Sequence, residues 1–133
     1  MQFTLEPGLT KEITEIVKPK HTASSLGSGG VEVLATPMLI ALLEGAAMEA
    51  VQPHLPAQWT TVGTRVNIGH LAATPVGMQV TARAVLTKID GRRLVFSVEA
   101  HDQQEKVAQG EHERFIVHLE RFIQQAQAKA EGM

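Results

Sequence analysis

The run Met38-Leu39-Ile40-Ala41-Leu42-Leu43-Glu44-Gly45-Ala46-Ala47-Met48 is almost purely apolar, and the carboxylate within it requires a reason. On a helix the neighbours three and four residues from Glu44 are Ile40, Ala41, Ala47 and Met48, and the opposite side, around Leu39, Leu42 and Ala46, is apolar too. A helix apolar on nearly all sides is a buried helix, and a charge inside it must be paired, protonated or functional. Glu44 is therefore a candidate for chemistry, set against a structural carboxylate that pairs with a buried Arg or His or faces a gap at the helix surface. His70 is a second candidate, because an imidazole exchanges protons near neutral pH. The competing reading is a strand-end histidine satisfied by backbone carbonyls. Thr36, just ahead of the apolar run, can cap free helix N–H groups, present its hydroxyl to a reaction, or do both.

The elements that must position these residues follow from periodicity. Ile13 and Ile16 between polar residues predict a strand over 11–17, which Pro19 stops. The small residues and glycines of 23–30 predict a flexible loop that can serve as a lid. Thr36-Pro37 opens a helix that runs to about residue 52, where Pro53 ends it. Within 59–71, Val62, Thr64, Val66, Ile68 and His70 alternate with Gly63, Arg65, Asn67 and Gly69, the period of a half-buried strand. Strands over 78–89 and 92–101 flank Asp90-Gly91, a two-residue hairpin signal. A turn over 102–105 leads to a last strand over 106–119, and the Gln-, Ala- and Lys-rich tail 120–133 reads as a frayed helix or disorder.

One buried helix followed by an antiparallel meander predicts an α+β chain in which the curved sheet wraps the helix, the hotdog arrangement. One copy leaves a sheet edge and part of the helix uncovered, which predicts a homodimer.

The 133 residues, 44% hydrophobic and 20% charged, fit a single domain over 1–133. A formal net charge of -2 and a pI near 6.3 leave no basic stripe for phosphates and argue against nucleic acid as a partner. Absence of cysteine excludes disulfides, thiolate zinc sites and a cysteine nucleophile. The N-terminus lacks the features of a signal peptide and no apolar stretch reaches membrane-spanning length, so a cytoplasmic protein with no membrane partner is expected. His112 and His118, six strand residues and roughly 20 Å apart, cannot share a metal, and no metal or other cofactor is expected. Gly27, Gly29 and Gly30 lack the Lys and Ser/Thr of a phosphate loop. Lys88, Arg92 and Arg93 around the hairpin can meet the phosphates of a nucleotide-like ligand, although hairpin tips ordinarily carry solvated charges.

Three segments in order carry a resemblance: residues 34–44, the stretch Val66-Asn67-Ile68-Gly69-His70-Leu71-Ala72-Ala73-Thr74-Pro75-Val76-Gly77, and Gly91-Arg92-Arg93-Leu94 through Ala100-His101-Asp102. With Gly110-Glu111-His112-Glu113-Arg114 and His118-Leu119-Glu120, they resemble the fluoroacetyl-CoA thioesterase family of hotdog proteins across about residues 15–123. The resemblance implies working roles for Thr36, Glu44 and His70, with Gly63 and Arg114 helping to hold the substrate. It also implies an acyl-CoA substrate, coenzyme A entering only as part of it. One departure stands out. The family enzyme has phenylalanines in the lid stretch before its threonine, whereas residues 27–31 here are Gly, Ser, Gly, Gly and Val, and without aromatic walls no selectivity for fluoroacetyl-CoA is expected.

Thioester hydrolysis suits this residue set, since a thiol with a pKa of about 8.5 leaves without a strong general acid. Glu44 can attack the carbonyl or activate a water, and His70 can bond the carboxylate or the water. A helical Thr36 would stand roughly 12 Å along the axis from Glu44, so either Thr36 lies on a folded-back loop or the site is completed across a dimer. The rival reading is a non-catalytic hotdog module that binds acyl-CoA or another small hydrophobic ligand. A hydratase or dehydratase on the same fold is a third option, less favoured by the thioesterase motifs.

Overall fold

The computed structural model describes residues 3–27 and 29–132; Met1, Gln2, Ser28 and Met133 of the expected single domain and lid stretch lie outside them. Five antiparallel strands form one sheet: β1 (Thr10–Ile16), β2 (Trp59–His70), β3 (Gln79–Asp90), β4 (Arg93–His101) and β5 (Lys106–His118), in spatial order β1-β3-β4-β5-β2. Among the described residues the α-helices are a short α1 (Ala23–Leu26), the long α2 (Thr36–Val51) and a terminal α3 (Leu119–Glu131), with single 3-10 turns over Pro19–His21 and Gln52–His54. This is the expected hotdog, with α2 lying against the concave face of the sheet.

Strand alternation decides that contact. Val80, Ala82, Ala84 and Leu86 of β3, Leu94, Phe96, Val98 and Ala100 of β4, and Ala108 and Ile116 of β5 are almost fully buried. They meet Leu39, Leu43, Ala46, Ala47, Ala50 and Val51 of α2. The alanines on both sides let the helix approach closely, and the larger Phe96 and leucines fill the remaining space. In one copy only this face of α2 is covered: Ala41 and Glu49 are exposed, and Ile40, Leu42 and Met48 are half-buried. At its far end, the Gln52 side chain donates to the Trp59 carbonyl (2.9 Å) and accepts from the Thr60 hydroxyl (2.8 Å), stitching the helix exit to the start of β2.

The structure differs from the sequence reading at several points. The strand β2 does not keep one phase. Gly63 pairs with Arg114 and Arg65 with Glu113, leaving Thr64 as an extra residue in a bulge. Before the bulge Thr61 and Gly63 face α2; after it Val66, Ile68 and His70 do, so Val62 and Thr64 are not on the inner face with them. The hairpin loop is Gly91-Arg92 rather than Asp90-Gly91, because Asp90 pairs with Arg93. Gly91, at φ +62°, takes the first turn position, the glycine requirement of a II′ turn. Part of the expected loop over 23–30 is the helical turn α1, capped at its start by the Thr22 hydroxyl, which accepts from Ser25 N–H (3.2 Å). The tail resolves its alternatives as the helix α3.

Gly110 marks the tightest backbone approach in the sheet. A Cβ there would overlap the Asn67 carbonyl oxygen and lie 2.8 Å from the Ile68 Cα, and neither backbone atom can rotate away. Gly45, by contrast, leaves a Cβ at an ordinary 3.7 Å from the Ile13 side chain. Gly110→Ala is expected to lower unfolding stability by about 3 kcal/mol, while Gly45→Ala, inside a helix, raises it by up to about 1 kcal/mol. Urea titrations of the two variants check both values, and an unchanged midpoint for Gly110→Ala contradicts the packing described.

Candidate functional site

The chemistry-bearing residues fall into two clusters along α2. The first begins with Arg114 on β5, a guanidinium whose side chain is 9% exposed. Its Nε donates to the Thr61 hydroxyl (2.8 Å), one terminal nitrogen to the Thr61 carbonyl (2.9 Å), and the other to His112 Nε2 (3.1 Å). His112 is fully buried, and its Nδ1 lies 2.8 Å from the Arg65 carbonyl. These partners fix the ring: Nε2 accepts from Arg114, so Nδ1 carries the proton and donates to Arg65. Break in the ladder at the bulge is what gives the Arg65 carbonyl a side-chain partner.

Glu44 reaches this pair from the helix. Its Oε2 is 3.8 Å from the Arg114 nitrogen and 4.0 Å from His112 Nε2, both beyond hydrogen-bond length, and its side chain is 37% exposed. The carboxylate is thus drawn towards a buried cation while its own lone pairs stay open to a further partner. Gly63 makes the arrangement fit. A Cβ on it would lie 2.8 Å from Glu44 Oε2, 3.2 Å from His112 Cε1 and 3.4 Å from Arg114.

The second cluster stands at the start of α2. Ala35, not Thr36, is the N-cap; Thr36 is the first helical residue, and its hydroxyl lies 2.8 Å from His70 Nδ1 instead of capping the helix. Both border a cleft of about 320 Å³ with Leu71, Ala72 and Ala73. The other ring nitrogen of His70, Nε2, is sealed from solvent with no partner among the described residues. Neighbouring backbone pins the pair: Leu34 N–H donates to the Thr74 carbonyl and Ala35 N–H to the His21 carbonyl, each at 2.8 Å. Thr74 in turn donates its hydroxyl to Asp102 (3.0 Å), whose other oxygen takes the N–H groups of Gln104 and Glu105. Burial pushes the Asp102 carboxyl up, but these bonds outweigh it and leave it below the ordinary carboxylate range.

Of the expected residues, the structure brings Glu44, Gly63 and Arg114 together and, separately, Thr36 and His70. It does not join the two groups within one chain. The folded-back loop offered for Thr36 is excluded, since Thr36 is helical and the axial separation of roughly 12 Å from Glu44 stands. The imidazole beside Glu44 in this chain is His112, which the sequence reading weighed only as a metal ligand with His118. Alternation along β5 was the available signal: Ala108, Gly110, His112, Arg114 and Ile116 share the inner face. Thr61 escaped notice because the bulge masks its phase. His118 instead packs edge-on to Trp59 at 5.2 Å. Arg92 lies over Trp59 at 4.9 Å and Arg93 is bound to Glu113 at 2.8 Å, so both hairpin arginines have partners already.

Burial holds the His112 pKa below its ordinary value; the bond to the Arg65 carbonyl resists this and the charge of Arg114 adds to it. The unfolded chain therefore binds a proton at His112 more readily than the folded one. Stability is full above the unfolded pKa of about 6.5 and declines as pH falls below it towards the lower folded value. Thermal midpoints measured from pH 7.5 to 5 are expected to fall for the wild type and to fall less steeply for His112→Gln; parallel slopes contradict the assignment.

Known proteins resemble this chain in sequence and in fold. The family model described as FlK, fluoroacetyl-CoA-specific thioesterase, matches residues 17–120. A fluoroacetyl-CoA thioesterase of Streptantibioticus cattleyicolor is 42% identical over 91 residues, which cover 68% of this chain and 66% of that protein's own length. A solved structure of the fluoroacetyl-CoA thioesterase FlK superposes with a TM-score of 0.88 at 34% identity, covering 94% of this chain and 97% of the other. A mutant of the same enzyme in complex with acetyl-CoA gives 0.89 at 33%, covering 94% and 98%. A Thermus thermophilus protein of the thioesterase superfamily gives 0.86 at 25%, covering 96% and 97%. With the match extending over most of its length, the chain belongs to the fluoroacetyl-CoA-specific thioesterase family of thioester hydrolases.

Proposed function

We propose that this protein hydrolyses small or medium acyl-CoA thioesters, without selectivity for fluoroacetyl-CoA and as a homodimer. The observation that carries the reading is the Glu44 carboxylate, held near the buried Arg114 yet hydrogen-bonded to neither Arg114 nor His112. Either Glu44 attacks the thioester carbonyl, the carbon–sulfur bond breaking as the coenzyme A thiolate leaves and water then cleaving the acyl–Glu44 anhydride to the free acid, or Glu44 takes a proton from the water that attacks the carbonyl, the carbon–sulfur bond breaks, and the departing coenzyme A thiolate receives that proton. Hydrolysis of this kind needs no cofactor beyond the coenzyme A of the substrate itself. Thr36, on its hydrogen bond with His70 and beside the free amides of the α2 N-terminus, is suited to steady the carbonyl oxygen as charge develops there.

The dimer is supported by what one copy leaves open. β2 is a long edge strand, Val66 on its inner face is 42% exposed, and the outer flank of α2 has apolar residues without cover. Antiparallel pairing of β2 with the same strand of a second copy, centred on Asn67 and passing over the bulged Thr64, sets Val66 opposite the partner's Ile68 and Gly63 opposite the partner's His70, and therefore brings that histidine near Glu44. Each site would then combine Glu44 of one copy with the Thr36–His70 pair of the other. For the acyl group, the sequence has no aromatic residue in 27–31, and Leu26 and Val31 are 44% and 58% exposed, which supports a substrate range without selectivity for fluorine.

Thiol release from acyl-CoAs of increasing chain length is expected, with Glu44→Gln lowering kcat by about a hundredfold or more and Gly63→Ala by about tenfold. Fluoroacetyl-CoA and acetyl-CoA should differ in kcat/KM by less than about tenfold once their intrinsic reactivities are taken into account. Equimolar mixing of unfolded Glu44→Gln and His70→Ala chains, followed by refolding, is expected to restore about a quarter of the wild-type sites if the site spans two copies, and none if it does not. If no acyl-CoA is cleaved while one raises the thermal midpoint, the chain is a binding module and the hydrolytic reading fails.

A further inference from the structure

A second cleft, of about 290 Å³, lies between β1, β3 and α2 and is lined by Val17, Leu34, Met38 and Leu42 with His21 and Glu15. It is separate from the Glu44 cluster. Leu42 and Glu44 are two residues apart on the helix, a rotation of about 200°, and so occupy opposite flanks of α2. The walls are apolar; Val17 and Leu34 are almost fully buried within the molecule and only a rim is open.

His21 gives the cleft a directed polar group. The residue is 6% exposed, and its Nδ1 accepts the Lys18 backbone N–H at 2.9 Å. A ring that accepts at Nδ1 carries its proton on Nε2, so the free nitrogen is a donor. Among the described residues this N–H has no hydrogen-bond partner, and His21 is one of the residues that line the cleft. Glu15, at the exposed rim, supplies an acceptor and repels anions.

We infer that this cleft is a binding site for a small neutral aliphatic molecule whose polar end both accepts and donates a hydrogen bond, such as a short primary amide or alcohol. The acceptor meets His21 Nε2–H, the donor meets Glu15, and the chain lies against Met38 and Leu42. At roughly 30 Å³ for each water-sized group, the volume holds about ten, which limits the ligand to a short chain. This inference does not depend on the thioesterase chemistry, because it concerns the other flank of the helix and is read by binding alone.

Hexanamide titrated into the isotopically labelled full chain is expected to shift the Met38, Leu42 and Val17 methyl resonances and the His21 Nε2 signal. Hexanoate is expected to bind at least about fivefold more weakly, and Ala41→Phe, which adds a side chain to the mouth from an exposed helix position, to abolish the shifts. His21→Phe keeps the ring volume, removes the donor and should weaken hexanamide about fivefold. Absence of methyl shifts at about 10 mM hexanamide, persistence of them in Ala41→Phe, or equal binding of hexanoate each overturns the inference. Should His21→Phe fail to fold, the Ala41→Phe and hexanoate comparisons still decide it.

Discussion

A guanidinium taken out of water organises this structure. Removing the charge of Arg114 from solvent costs several kcal/mol, and hydrogen-bond acceptors with a counter-charge nearby offset that cost. Thr61 supplies two acceptors, its hydroxyl and its carbonyl; His112 supplies a third; Glu44 supplies the charge. Burial still pulls the Arg114 pKa below its usual value, with Glu44 opposing. Each remaining irregularity nearby follows from these demands. To accept from Arg114, His112 must donate at its other nitrogen; the donor needs a carbonyl free of the ladder; and the bulge after Gly63 provides one at Arg65. The carboxylate must come down from α2 onto the same spot, so a Cβ on Gly63 would displace it and crowd the His112 ring.

The distance of 3.8 Å between the guanidinium and the carboxylate matters as much as their charges. A bidentate pair at contact distance would hold Glu44 more firmly and also fill the lone pairs that nucleophilic or base chemistry needs. Here Arg114 gives three of its five N–H groups to Thr61 and His112 and, at 3.8 Å, reaches Glu44 through its field. The carboxylate keeps a favourable potential without being tied by it, a compromise between stability and reactivity common at functional sites.

Long periodic segments were legible in the sequence because burial on one face imposes a period on many residues at once. Alternation in β3 and β4 and the proline boundaries of α2 led to the correct fold, and Glu44 was singled out because a lone charge in an apolar helix has few explanations. What escaped depended on single-residue events. An extra residue at Thr64 inverts the phase of β2, and no composition signal announces it; Thr61 and the true inner face of β2 were lost with it. The Gly91-Arg92 turn differs by one position from its expected place because pairing of Asp90 with Arg93 outweighs the usual Asp-Gly preference. His112 was readable from β5 alternation, yet a histidine and an arginine on an inner strand face have meaning only once Glu44 is known to descend on them from a distant part of the chain.

The separation of the two clusters follows from α2 itself. Eight residues at 1.5 Å each place Thr36 and Glu44 two turns apart, and a helix packed along its whole buried face cannot bend to shorten that span. In a single chain His70 therefore ends with one nitrogen on Thr36 and the other sealed without a partner, a deficit of about 1–3 kcal/mol that packing alone does not recover. Glu44 has the complementary deficit: a charge whose nearest donors stop short of hydrogen-bond length. Two groups at fixed spacing on a rigid ruler, beside an edge strand able to pair with itself, are brought towards one another by a second copy in the proposed antiparallel arrangement. Chain symmetry supplies there the proximity that helix geometry denies within one chain.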